Sequence, residues 1–114
     1  MRTRAYTLIE IMIVIFIIGL LLMVAAPQFL RARQQAHQRS CMSNLRQIND
    51  AKDILASDTN LPDGAVIAPA DIFPQYLKMP SFPTCPGGGT YTLHPIGQRA
   101  TCTVTSGPFP HLAP

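Results

Sequence analysis

The sequence predicts an α+β protein: one long N-terminal α-helix, apolar in its first half and amphipathic in its second, carrying a small C-terminal antiparallel β-sheet head. Three observations predict it. An unbroken apolar run extends from Ile11 to Ala26. Beyond Pro27 the apolar residues recur at helical spacing instead. Ten of the eleven prolines lie after residue 60, so only short regular elements fit there.

The helix is expected from Tyr6 to about Asp58, because no stop signal interrupts that stretch. Residues 6–27 are long and apolar enough to cross a bilayer. Gly19 weakens the helix locally. Pro27 removes one backbone hydrogen bond and predicts a kink. Over residues 28–58 the helix becomes amphipathic. Cys41, Leu45, Ile48 and Leu55, with Ala51 beside them, form a stripe on one face that should carry the head. Ser57-Asp58-Thr59-Asn60-Leu61-Pro62-Asp63-Gly64 is dense in turn formers and ends the helix.

Residues 59–114 form the Pro-rich head. Asp71 is expected to cap a short helical turn reaching Leu77, with Pro74 in its first turn. Thr90 to His94 and Ala100 to Thr105 read as two strands. Pro95-Ile96-Gly97-Gln98 is the turn joining them. A lone hairpin is marginal, so it must pack on the helix stripe.

Charge narrows the function classes. Nine basic residues against six acidic give a formal net charge of +3. Arg2 and Arg4 precede the apolar run, however, and from Cys41 onward four basic residues face five acidic ones. The head is therefore not a basic nucleic-acid surface, and nucleic acid is not expected as a partner. His37, His94 and His111 are scattered, and no nucleophile–base set can be argued from order alone. Gly87-Gly88-Gly89 lacks the Lys-Ser/Thr and helix start of a phosphate loop. It is expected to allow positive φ and a close chain crossing. No enzyme activity and no cofactor are expected.

The cysteines are Cys41, Cys85 and Cys102, an odd number. A disulfide between Cys85 and Cys102 is expected, worth about 3 kcal/mol in the chain-entropy model. Cys41 would remain a buried thiol on the helix stripe. The rival pairing ties Cys41 to Cys85 or Cys102. Zinc held by Cys85, His94 and Cys102 would need a spacing that fits no common site, so no metal is expected.

Glu10 is the residue with the most to explain. A carboxylate at the edge of a membrane-length helix is costly and calls for a cationic partner. Arg2 and Arg4 precede a small residue, Ala5, followed by Tyr6-Thr7-Leu8-Ile9-Glu10. Cleavage after Ala5 would create a new amine on Tyr6, four residues from Glu10. Arg4 to Val14 resembles the prepilin signature of type IV pilins and type II secretion pseudopilins. That signature is a short basic leader, a Gly, a Phe, then Thr-Leu-Ile-Glu and a long apolar stretch. Ala5 stands where Gly is usual and Tyr6 where Phe is usual. Gly19 and Pro27 fall where the family's helix often carries Gly and Pro. The likeness is strong from Arg4 to about Phe29 and looser beyond residue 60. There Tyr76-Leu77-Lys78, Pro83-x-Cys85-Pro86 and Gly89-x-Tyr91 are similar to the tail of major pseudopilins.

The resemblance implies a leader at residues 1–5, cut between Ala5 and Tyr6 by a membrane prepilin peptidase that then methylates the Tyr6 amine. It implies that Glu10 pairs with the Tyr6 amine of a neighbouring subunit and sets the register of assembly. The segment from Gly19 to Pro27 can lose helix when subunits pack. The implied partners are copies of this chain in a filament, other minor pilins or pseudopilins, the peptidase, an inner-membrane assembly platform and membrane lipid. The implied location is the bacterial inner membrane with the head outside, then a periplasmic or cell-surface filament. Arg31, Arg33 and Arg39, counted alone, would place the head inside. Some pseudopilin heads bind calcium, but Asp53, Asp58 and Asp63 lack an alternating oxygen-ligand loop and read as solvated turn residues. The expected function is a structural subunit of a type IV pilus or type II secretion pseudopilus. The alternatives are a DNA-uptake pilin and a plain single-pass membrane anchor with an extracytoplasmic head.

Overall fold

The computed structural model describes residues 5–112. Met1 to Arg4, most of the expected leader, lie outside the described residues. The element order is α1 (Leu8–Thr59), α2 (Pro69–Ile72), β1 (Tyr91–Thr92) and β2 (Thr101–Cys102). This is the α+β arrangement that the sequence predicts. The chain divides into two compact units, the first ending at Arg33 and the second beginning at Gln34.

The first unit is the apolar part of α1. Thr7 opens the helix: its Oγ1 accepts the Glu10 backbone N–H at 3.3 Å. Its carbonyl accepts the N–H groups of Glu10 and Ile11 at 3.1 and 3.4 Å. The Glu10 N–H is an otherwise orphaned donor of the first turn that a threonine hydroxyl is suited to take, and the Ile11 bond is the first regular helical one. The helix is continuous through Gly19 and Pro27. Each residue from Ala5 to Arg33 is exposed, including Phe16, Leu21 and Met23. By length and composition, α1 can cross a membrane. An exposed apolar surface of this extent must be covered by lipid or by other protein.

In the second unit α1 buries Cys41, Leu45, Ile48, Ala51, Lys52 and Leu55. The five apolar positions are the stripe read from the sequence. They share a core with Ile67, Ile72, Leu77, Cys85, Ile96, Ala100 and Cys102. The helix ends at Thr59, followed by Asn60 at φ 51°. The Leu61 N–H returns to the Ala56 carbonyl at 3.1 Å. That is the six-to-one bond of a Schellman ending, with asparagine tolerating the left-handed position that glycine usually fills.

Two expectations for the head are corrected. The short helix begins at Pro69, not after Asp71, and Pro69 occupies its first position. Asp71 sits inside it and accepts the Ala68 N–H at 2.7 Å. From Phe73 to Tyr76 the chain turns, and Leu77 N–H closes on the Ile72 carbonyl at 2.8 Å. The two strands are also shorter than expected, two residues each, paired antiparallel as Tyr91 with Cys102 and Thr92 with Thr101. At the end of the ladder away from the turn, Thr103 N–H still reaches the Thr90 carbonyl at 3.1 Å, but on the turn side the backbone groups bond elsewhere. Ile96 and Gly64 N–H groups bond the carbonyls of Ala65 and Ile96 at 3.0 and 2.8 Å. The Ala100 N–H bonds Asn49 Oδ1 on α1 at 2.9 Å. The turn itself is where the sequence puts it: Gln98 N–H bonds the Pro95 carbonyl at 3.1 Å, with Gly97 at φ 87°.

Lys52 locks this turn onto the helix. Lys52 is 2% exposed, and its ammonium donates to the carbonyls of His94, Pro95 and Gln98 at 2.7, 3.3 and 2.6 Å. Burial holds the Lys52 pKa below the ordinary lysine range, with the adjacent Asp53 charge opposing.

Candidate functional site

Two places in the chain can carry function, one in each unit. In the first, Ala5 and Tyr6 precede α1 and are exposed. A peptide bond that is exposed and outside a helix is open to a protease. Glu10 lies in the first turn of α1 and is exposed. Its carboxylate stands near the positive end of the helix dipole. Among the described residues no basic side chain pairs with it. Gly19 has open space where a Cβ would lie.

In the second unit, four buried groups converge. Cys41 Sγ comes from α1, Cys85 Sγ from the loop after Pro83, Cys102 Sγ from β2 and a ring nitrogen of His111 from the C-terminal segment. All four lie within 4.8 Å of one another. Cys85 Sγ is 3.1 Å from His111 Nδ1. Among the described residues this is the one gathering of three or more groups that could hold a metal. All three cysteines are free thiols. The disulfide expected between Cys85 and Cys102 is not formed in this structure. The reason is geometric: the sulfurs meet at a common centre with His111 and not as a bonded pair.

The surroundings of the cluster are specific. The backbone N–H groups of Gly89 and Gly87 donate to Cys85 Sγ. Burial pushes the Cys85 thiol up, but these amides, together with the thiols of Cys41 and Cys102, outweigh it and hold it below the usual cysteine range. Burial pushes Cys41 up to about 12, against the Tyr91 hydroxyl, which hydrogen-bonds its sulfur. Tyr91 is itself raised, first by burial and then by Cys41. Asn44 Nδ2 holds the Tyr91 hydroxyl at 3.1 Å. His111 is 4% exposed. Its N–H bonds the Val104 carbonyl at 2.7 Å, and Gln38 Nε2 on α1 donates to the Pro110 carbonyl at 2.8 Å.

The glycine run is explained by this cluster. A Cβ on Gly87 would lie 2.5 Å from His111 Cε1. A Cβ on Gly89 would lie 2.8 Å from Cys102 Sγ and 2.7 Å from Val104 Cγ2. Gly88 adopts φ 85°. Both the positive φ and the close crossing expected from the sequence are present, at different glycines.

Residues 1–26 match the family described as "Prokaryotic N-terminal methylation motif". The chain is 37% identical over 57 residues to the type IV major pilin protein PilA of Myxococcus xanthus, a match covering 50% of this chain and 26% of that protein. It is 27% identical to the type II secretion system core protein G of Pectobacterium carotovorum, over 92% of this chain and 75% of the relative. It is 26% identical to core protein G of Klebsiella michiganensis, over 90% and 81%. At its N-terminus the chain carries the prokaryotic methylation motif, and over half or more of its length it is similar to these pilin and secretion-system proteins. No solved structure matches it.

Ala5, Tyr6, Glu10 and Gly19 lie within the segment matched by the methylation motif, and Pro27 lies next to it. Cys85 and Cys102 belong to the head and have a different setting. Sequence reading placed Cys41 on the stripe and Cys85 and Cys102 near one another, and found no metal set that includes His94 by spacing. His94 instead bonds Thr101 Oγ1 at 2.9 Å through Nε2. The residue missed is His111. A histidine between Pro110 and Leu112 near the end of a chain carries no periodicity, and only the return of that segment against Gly87 brings it in. Lys52 was missed for a similar reason, since a lysine beside an apolar stripe reads as solvated.

Proposed function

We propose that this chain is a structural subunit of a type IV pilus or type II secretion pseudopilus, matured by cleavage between Ala5 and Tyr6 and assembled into a helical filament. The observation that carries the reading is the pairing of Glu10 with a fully exposed apolar helix directly behind a basic, small-residue cleavage motif. Lipid solvates the helix before assembly, and neighbouring helices replace lipid afterwards. Glu10 has no basic partner among the described residues of its own chain, and the Tyr6 amine of a neighbour is a cation of the right sign. In a low dielectric that attraction is strong and falls steeply with misplacement, so it selects one axial register.

The pseudopilus form of the reading is favoured, because core protein G is similar over most of the chain whereas the pilin likeness covers half of it. In this reading the helix sits in the bacterial inner membrane with the head outside. Other pilins and the assembly platform are its partners, and it is a substrate of prepilin peptidase.

The test is the intact mass of the protein from native membranes, alongside material released by shear. The expected result is a chain beginning at Tyr6, with one added methyl on its amine, present in filaments. A chain that begins at Met1 and stays monomeric would overturn the proposal in favour of a plain membrane anchor.

A further inference from the structure

We infer that Cys41, Cys85, Cys102 and His111 form a structural zinc site of the Cys3His type that holds the head together. The donor set is the first ground. Three sulfurs and one imidazole nitrogen suit a borderline-soft divalent ion, whereas calcium and magnesium require oxygen donors. The second ground is distance. Zinc–sulfur bonds of about 2.3 Å in a tetrahedron put ligand atoms roughly 3.8 Å apart. The four atoms already lie within 4.8 Å, with Cys85 Sγ and His111 Nδ1 at 3.1 Å. The widest separations need to close by about 1 Å and the Cys85–His111 pair to open by about 0.5 Å to complete the site.

The third ground is what surrounds the sulfurs. Gly87 and Gly89 amides aim at Cys85 Sγ, and the Tyr91 hydroxyl aims at Cys41 Sγ. Donors pointing at sulfur suit thiolates, and such outer contacts orient the ligands of a metal. Binding releases three thiol protons to solvent and leaves three thiolates and a neutral imidazole around Zn2+, a net charge of −1. The amides and the tyrosine hydroxyl offset that charge. With four protein ligands, each buried, no position is left for water or substrate, so the site is structural and not catalytic.

The fourth ground is that the chain is shaped to deliver His111. The segment is tied by Gln38 to Pro110 and by the His111 N–H to Val104, and Gly87 leaves the ring its space. A disulfide would use two sulfurs and give neither the third nor the imidazole a role. The site draws α1, the Cys85 loop, β2 and the C-terminal segment to one point in a head whose sheet has only two short strands. This inference is independent of the filament reading, because it concerns the head alone.

The full chain, purified in detergent without chelator, tests it by elemental analysis and native mass. One zinc per chain is expected, with all three thiols protected from alkylation until a chelator removes the metal. Cobalt exchanged into the site should show the visible absorption of tetrahedral thiolate coordination. Cys41→Ser and His111→Ala should lose stoichiometric zinc, while His111→Cys should keep it, which separates lost ligation from failed folding. Tyr91→Phe, changing a positioning residue, should weaken affinity about tenfold to a hundredfold. A metal-free native chain two hydrogens lighter than its reduced form would overturn the proposal. So would a reduced chain that takes up no stoichiometric zinc, or a His111→Ala chain that retains it in full.

Discussion

A single buried ammonium does much to position the turn between the strands. Lys52 satisfies its three donors with three carbonyls from one loop, so no counter-ion is needed to hold it there. Replacing it by methionine keeps the apolar stem but leaves buried carbonyls without donors. Lys52→Met should destabilise the head by about 2 kcal/mol. Amide hydrogen exchange at Ile96 and Gln98 should accelerate first, and unchanged protection there would show that the clamp is dispensable. Glu10 is the corresponding residue in the first unit, and in the proposed filament its partner belongs to a neighbouring subunit. Glu10→Ala should insert into membranes at normal levels and fail to enter filaments, measured by the sheared fraction; normal filaments would remove the pairing role.

The elements differ in what holds them. α1 is capped at Thr7 and closed by Asn60, and through Arg33 it relies on lipid or partners for cover. Gly19→Ala meets no neighbour and gains helix propensity of about 1 kcal/mol. If the segment from Gly19 to Pro27 loses helix in the filament, this variant should be more helical as a monomer yet assemble less. Equal assembly would count against melting. The Cys85 loop behaves oppositely, because its glycines are enforced by contact. Gly89→Ala drives a methyl into Cys102 Sγ and Val104 and should lower head stability by about 1–3 kcal/mol, read by thermal unfolding. The hairpin is the weakest element. On the turn side its length follows from competition for its backbone groups, since Thr90 to His94 and Ala100 to Thr105 have strand-forming composition throughout.

At the scale of the molecule, the two units should fail separately. Under the proposed maturation, head variants such as Lys52→Met are expected to be cleaved after Ala5 to the same extent as the parent, while losing protease resistance beyond Gln34. Glu10→Ala should show the reverse, with a stable head and no filaments. Limited proteolysis with intact mass distinguishes the two patterns, and a single shared defect would argue against independent roles. By itself the sequence determined the long helix, the apolar stripe from Cys41 to Leu55, the turn at Pro95 to Gln98 and the prepilin-like N-terminus. These are local signals, set by periodicity, by turn chemistry and by residues adjacent in the chain. Only the tertiary structure decided the gathering of the three cysteines with His111, the burial of Lys52 and the shortness of the strands. Each depends on segments distant in sequence meeting in a small core. There, buried polar groups must find partners wherever the packing places them, and spacing along the chain does not encode that placement.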